Sequence, residues 1–175
     1  MVALERLNRW EAELVERRAA LSPTRPPAAL TRVSALARGG RLWFVIAALM
    51  ATRSPTTRRA ARDGVAALLL ASSCAQVLNR VVSRPRPAAG HLPARDALVH
   101  QPRTPSFPSS HSAVAAAFTT AAGRRSPITA MMLVPLAATT AYARIRTRAH
   151  WPTDVLAGIA LGALVGELVH RHTAA

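Results

Sequence analysis

The sequence predicts an all-α protein, a polytopic transmembrane helical bundle of about five spans preceded by an N-terminal amphipathic helix. Three observations carry this expectation. Apolar stretches recur along the chain and are bounded by Arg clusters with little charge inside them, as membrane spans and their loops are. The stretches are dominated by Ala, Gly, Ser and Thr, small residues that let packed membrane helices approach closely. Half of the 175 residues are hydrophobic while aromatics make up only 4%.

Composition also removes several function classes. The formal charge is +15, and all 23 basic residues are Arg. They fall in clusters (53–62, 80–103, 124–125, 144–148) separated by apolar runs, whereas a nucleic-acid binder would string them along one helix or arm. The low aromatic content argues against a stacking platform for single strands. No nucleic-acid partner is expected. Cys74 is the single cysteine, so a disulfide-stapled secreted scaffold is excluded.

Residues 1–33 read as an interfacial helix and linker, and 34–175 as a membrane-embedded domain. In the first 21 residues Leu4, Leu7, Trp10, Leu14 and Leu21 recur at helical spacing among alternating charges, and no uninterrupted apolar core marks a signal peptide. Such a helix either lies on the membrane surface or packs on its own protein. Ser22-Pro23 and Arg25-Pro26-Pro27 then break it. The apolar stretches follow as 42–52, 64–78, 112–123, 127–143 and 155–169. Several are shorter than the ~20 residues of a lone span, so they need extension into their flanks or enclosure in a bundle. The first spans only if its helix begins near Ser34, with Arg38 and Arg41 snorkelling.

Three polar islands interrupt this background. Arg84-Pro85-Arg86-Pro87 follows the second stretch, and its prolines end the helix and fix the backbone that carries two guanidinium groups. Phe107-Pro108-Ser109-Ser110-His111-Ser112 opens the third stretch and reads as a helix start, whose first-turn N–H groups can receive phosphate oxygens. His150 and Asp154 are four apart at the start of the last stretch, so on a helix they would lie on one face. A carboxylate beside an imidazole holds one tautomer and supports the imidazolium form, leaving the other ring nitrogen to attack. The same pair could ligate a metal, although no further Cys, His or Glu stands at ligand spacing nearby. Alternating the stretches across a membrane puts all three islands on one face. Oxyanion donors, two histidines and a carboxylate outline a phosphoryl-transfer site.

These residues resemble the type 2 phosphatidic acid phosphatase superfamily, whose three motifs are Lys-x6-Arg-Pro, Pro-Ser-Gly-His and Ser-Arg-x5-His-x3-Asp. The matching segments are Asn79-x6-Arg86-Pro87, Pro108-Ser109-Ser110-His111 and Ala143-Arg144-x5-His150-x3-Asp154. The resemblance covers roughly residues 40–170. It implies a helical bundle and a metal-independent phosphatase without cofactor. His150 would be the nucleophile, Asp154 its orienting partner and His111 the acid for the leaving oxygen. Arg86, Arg144, Ser109 and the Ser110 N–H would cradle the phosphate. Vanadium haloperoxidases share the site but are larger soluble enzymes. Three positions depart from the pattern: Asn79 replaces Lys, Ser110 replaces Gly and Ala143 replaces Ser. Arg80 or Arg84 is the candidate to supply the missing charge.

The resemblance further implies a lipid phosphate substrate at headgroup level. The small size is similar to that of actinobacterial members acting on polyprenyl-linked sugar phosphates such as decaprenylphosphoryl phosphoribose; undecaprenyl diphosphate and phosphatidate-type lipids stay open. Five spans put the N-terminus on the catalytic face, and a charged segment is easier to leave in the cytoplasm than to translocate. The expectation is a multi-pass plasma (inner) membrane protein with a cytoplasmic site. The alternative is a weakened relative that binds anionic lipids without turnover.

Overall fold

Caps written into the sequence set where the helices begin. The computed structural model describes residues 2–21, 36, 40–87 and 104–174. Among the described residues every regular element is a helix: α1 (Val2–Leu21), α2 (Arg41–Ala51), α3 (Pro55–Val81), α4 (Ser110–Gly123), α5 (Pro127–Arg146) and α6 (Pro152–Ala174). Ser54 and Thr57 form a reciprocal capping box ahead of α3, and Pro55 fills the first position, where no N–H is needed. At α5 the Ser126 hydroxyl accepts from the Thr129 N–H and Pro127 fills the first position, and Ser109 caps α4. The expected linker 22–33, the extension back to Ser34 and Arg38, and the connection 88–103 lie outside the described residues.

α4 is the axis of the bundle, packed by α3, α5 and α6. Ala113, Ala115, Ala117, Phe118, Ala121 and Ala122 are all buried on it. A helix enclosed on so many sides needs small residues, and its partner α6 answers with Gly158, Gly162 and Gly166 on one stripe. A methyl group at Gly162 would overlap the Ala113 carbonyl, and one at Gly166 would stand 2.7 Å from the Ala117 carbonyl. Backbone therefore packs on backbone, as small-residue stripes allow in membrane helices. Trp43 fastens α2 to the bundle through the Phe118 ring, with centroids 5.3 Å apart.

Three helices, α3, α5 and α6, are long and apolar enough to cross a membrane. α2 has 11 residues and α4 has 14, or about 16 and 21 Å at 1.5 Å per residue, short of a ~30 Å hydrocarbon core. The five sequence stretches thus become three long helices, one short enclosed helix and one short peripheral helix. Outward faces of the long helices expose Leu70, Val77, Met131, Met132, Leu164 and Leu168, more apolar surface than water-facing helices carry. α1 is helical as expected, but Trp10 and Leu14 are exposed while Glu11 is wholly buried. It therefore docks on its own protein through a charged residue.

Candidate active site

The end of α3, the starts of α4 and α6 and the end of α5 meet at one end of the bundle. Short backbone bonds join them: Ser106 N–H donates to the Arg84 carbonyl at 2.8 Å and Ser109 N–H to the Asp154 carbonyl at 2.9 Å. The Trp151 indole donates to the Pro85 carbonyl at 2.8 Å. The three islands predicted to share a face are thus in direct contact.

Arg86 straps this junction. Its Nε and Nη2 donate to the Thr104 carbonyl, the Thr104 hydroxyl and the Pro105 carbonyl at 3.0 to 3.2 Å. Nη1 donates to the Ala149 carbonyl at 2.6 Å and lies 3.3 Å from His150 Nε2. The fork geometry of the guanidinium makes this multiple attachment available to Arg and not to Lys.

His150 stands in the turn between α5 and α6. The Ala149 and His150 N–H groups both donate to the Arg144 carbonyl, at 3.1 and 3.2 Å. Arg148 adopts a left-handed φ of 52° in this turn, a conformation that costs a residue with a Cβ about 1–2 kcal/mol. His150 Nδ1 is 2.7 Å from the Ser106 carbonyl. A carbonyl only accepts, so Nδ1 carries the proton and Nε2 the lone pair. Burial holds the imidazole below its ordinary pKa, against the raising influence of Asp154. The ring is consequently a neutral base at neutral pH, with its lone-pair nitrogen beside a guanidinium.

Asp154 sits in the first turn of α6. Its Oδ2 accepts from the Trp151 N–H at 3.0 Å, reaching back to the helix start. The same oxygen is 3.8 Å from His150 Nδ1, beyond hydrogen-bond range and close enough for charge to act. His150 therefore precedes the helix, whereas the spacing suggested a pair on one helical face. Its tautomer is fixed by the Ser106 carbonyl and its charge is supported by Asp154.

Arg84 differs most from expectation. Its Nε donates to Asn8 Oδ1 at 3.0 Å and Nη2 to the same oxygen at 2.7 Å. Nη1 donates to the Thr153 hydroxyl at 2.7 Å and to Asp154 Oδ1 at 2.5 Å. Nη2 also pairs with Glu11. A guanidinium has five N–H groups, and all five have acceptors inside the protein. Arg84 is buried and offers no donor to a phosphate, so it does not replace the missing Lys. Arg80 is exposed. Asn79 bonds the carbonyls of Ala75 and Pro108, at 3.2 and 3.0 Å, and so braces the second motif.

The remaining candidates gather at the same end. Ser109 is buried, and its hydroxyl accepts from Ser112 N–H and Ser112 Oγ at 3.4 and 3.0 Å. Its own hydrogen remains to donate. Ser110 and His111 form the first turn of α4, and both are partly buried. Arg144, buried in the last turn of α5, supplies the carbonyl that shapes the His150 turn. Four residues of this end were absent from the sequence reading: Asn8, Glu11, Ser106 and Thr153. A signal existed for Glu11, which follows Leu4 and Leu7 and precedes Leu14 at i+7, i+4 and i−3, in the middle of the apolar stripe.

The family model for the PAP2 superfamily matches residues 61–174, which hold all three motifs. The chain belongs to the PAP2 superfamily. It is 35% identical over 129 residues to decaprenylphosphoryl-5-phosphoribose phosphatase of Mycobacterium tuberculosis, in strains CDC 1551 / Oshkosh and ATCC 25618 / H37Rv. That match spans 73% of this chain and 69% of the relative. The fold is similar to the crystal structure of Aquifex aeolicus LpxE, with TM-score 0.69 and 23% identity over 91% of this chain and 93% of that one. It is also similar to a transmembrane PAP2-type phosphatidylglycerolphosphate phosphatase from Bacillus subtilis, with TM-score 0.61 and 22% identity over 98% and 94%. This PAP2 chain is a phosphatase by family, and its fold is similar to that of a transmembrane PAP2-type phosphatase.

Proposed function

We propose that the protein is an integral-membrane, metal-independent lipid phosphate phosphatase that works through a phosphohistidine, with a polyprenyl-linked phosphoribose phosphate as substrate. The observation that carries the mechanism is the His150 tautomer: Nδ1–H is held by the Ser106 carbonyl and Nε2 faces Arg86 at 3.3 Å. Nε2 attacks phosphorus, the bond to the ester oxygen breaks, and His111 donates a proton to the departing oxygen. Water then attacks the phosphohistidine, His111 takes the proton, and phosphate leaves. Arg86 holds an equatorial oxygen through the Nη1–H that faces His150 Nε2, whose lone pair the new bond to phosphorus takes up, and Arg144, the Ser109 hydroxyl and the first-turn N–H groups of α4 hold the others. The substrate class is supported by the relationship to decaprenylphosphoryl-5-phosphoribose phosphatase.

In this reading α2 and α4 complete five crossings together with the three long helices, α1 lies at the interface, and the site faces the cytoplasm. Docking of the charged α1 at the site end supports the sidedness. Labelling of Arg80→Cys and Arg124→Cys from each side of intact vesicles, in a Cys74→Ser background, checks it.

The test of function is phosphate release by detergent-purified protein from a panel of lipid phosphates and diphosphates, with chelator present. Release that survives chelator, is greatest on the phosphoribose lipid and disappears in His150→Ala supports the reading. Folded protein that binds anionic lipid and releases phosphate from none of the panel replaces it with the non-enzymatic alternative. Asn79→Lys would then ask whether the lost charge is the cause.

A further inference from the structure

Glu11 is a wholly buried carboxylate to which the mechanism above gives no role. Its Oε1 accepts from the Thr153 N–H at 2.7 Å and its Oε2 from the Thr153 hydroxyl at 2.9 Å, while Oε2 pairs with Arg84. Arg84 in turn holds Asp154 Oδ1. Glu11, Arg84 and Asp154 therefore form a row of alternating charge that ends at His150. All three are almost completely shielded from water, with 0%, 2% and 0% exposure, where a charge acts over longer range than at the surface.

The sum of that row decides what His150 experiences. Asp154 with Arg84 alone is a neutral pair, because a guanidinium 2.5 Å from Oδ1 cancels much of the carboxylate's field. Glu11 on the far side of Arg84 returns the row to a net single negative charge. We propose that Glu11 is a positioning residue for the phosphoryl-transfer site, neutralising Arg84 so that the charge of Asp154 stays available to the positively charged forms of His150. The inference rests on the phosphohistidine reading above, and it makes α1 part of the active site. It also accounts for Arg84, which the phosphate cannot reach.

Other charged groups surround His150, beginning with Arg148, which is buried two residues before it in the same turn. Arg86, from the segment after α3, opposes imidazolium formation from the Nε2 side. Asp154 comes from α6, and α4 and α5 bring His111 and Arg144 to the same end. None of these changes when Glu11 is replaced.

The test compares wild type, Glu11→Gln and Glu11→Gln/Arg84→Gln. The His150 imidazole is titrated by NMR in ¹⁵N-histidine protein, assigned through His150→Ala, and kcat and KM are measured on a lipid phosphate. In Glu11→Gln the His150 midpoint should fall and kcat drop roughly tenfold, well short of the ~10⁴ lost with a directly bonded carboxylate. KM should stay within about twofold, since the phosphate ligands are untouched. The double variant again sums to one negative charge, so midpoint and kcat should both return toward wild type. A wild-type midpoint in folded Glu11→Gln overturns the proposal, as does a lost kcat that the double variant leaves unrecovered. Should Glu11→Gln fail to fold, Glu11→Ala with added propionate replaces it, and recovery of the midpoint with propionate but not chloride is required. The titration does not depend on turnover. A protein with the shifted midpoint and no phosphatase activity would thus refute the functional reading while leaving the charge row standing.

Discussion

The two ends of the bundle use arginine in opposite ways. At the site end Arg84 has 2% exposure and all of its donors satisfied internally, and Arg86 ties three segments together. At the other end Arg124 is 57% exposed and meets Glu167 at 2.7 Å, while Arg125 closes over the buried Asp63 at 2.6 Å. A cleft of about 390 Å³ opens there between Arg59, Arg62, Asp63, Arg125 and Thr173. The chemistry of the side chain is the same, and water is what differs. Excluded from water, a guanidinium fixes the segments it bonds and its charge acts over a longer range. In water, as at Arg124, such contacts are exchanged for hydration at little cost, and the partly buried Arg125–Asp63 pair stands between the two cases.

Applying one substitution to both ends gives the largest expected contrast. Arg86→Lys keeps the charge but cannot make the bonds to Thr104, Pro105 and Ala149 together. It should lower kcat/KM by about 10² to 10³, the range for loss of a transition-state donor. Arg125→Lys keeps a cation near Asp63 and should leave kcat/KM within about twofold, being far from the reacting atoms. Phosphate release at matched folded concentration reads both, and equal losses would erase the distinction between the ends.

The glycine stripe on α6 runs from one end to the other and grades the same contrast. A Cβ at Gly158 would drive into the Ser109 carbonyl, the cap of the second motif, whereas one at Gly166 would press on Ala117 and Thr120. Both Gly→Ala changes should destabilise by about 1–3 kcal/mol through overpacking. Only Gly158→Ala should also lower kcat in the protein that remains folded. Thermal unfolding in detergent, followed by activity per folded molecule, separates the two effects.

The burial that distinguishes the site end also sets a pH dependence. His150 holds its proton less tightly than a free imidazole because burial disfavours the charged ring. The free base, which attacks in the proposed mechanism, persists as pH falls until the lowered pKa is passed. The acid limb of kcat/KM should therefore lie below the ordinary imidazole value of about 6.5. Between the two pKa values the unfolded chain binds more protons at this site, so stability at this residue is also lost as pH falls through that window. An acid limb at or above the ordinary value would assign it to another group.

Local patterns foretold most of the fold and part of the site. The Ser109 cap, in the run that reads as a helix start, and the Ala-rich run of α4 were legible because a helix boundary depends on its near neighbours. The caps Ser54-Pro55 and Ser126-Pro127 carry the same kind of signal, unused in the sequence reading. Motif spacing likewise brought Arg86, His150 and Asp154 to one end. The direction of Arg84 was not legible, since its partner Glu11 is 73 residues away and spacing carries no information about such a contact. The number of crossings was not legible either. An enclosed helix like α4 needs only small apolar residues, so an apolar run identified a buried helix without fixing whether it was long enough to cross. Glu11 is the instructive case, because a carboxylate inside the apolar stripe of α1 signalled a buried partner while its charge suggested solvent.

The smallest effect is expected where arginine is most exposed. Arg124→Ala removes a 2.7 Å contact to Glu167, but Glu167 keeps Arg171 at 2.8 Å one helical turn away. Both arginines are open to solvent, and exposed ion pairs of this kind gain little over hydration. The melting temperature in detergent and kcat/KM should both match wild type, at low salt as well as high. A drop in activity without a drop in stability would mean that the opposite end communicates with His150 through α6. In that event the arginines of the two ends would be parts of one charge system, and the contrast in their exposure would no longer explain their roles.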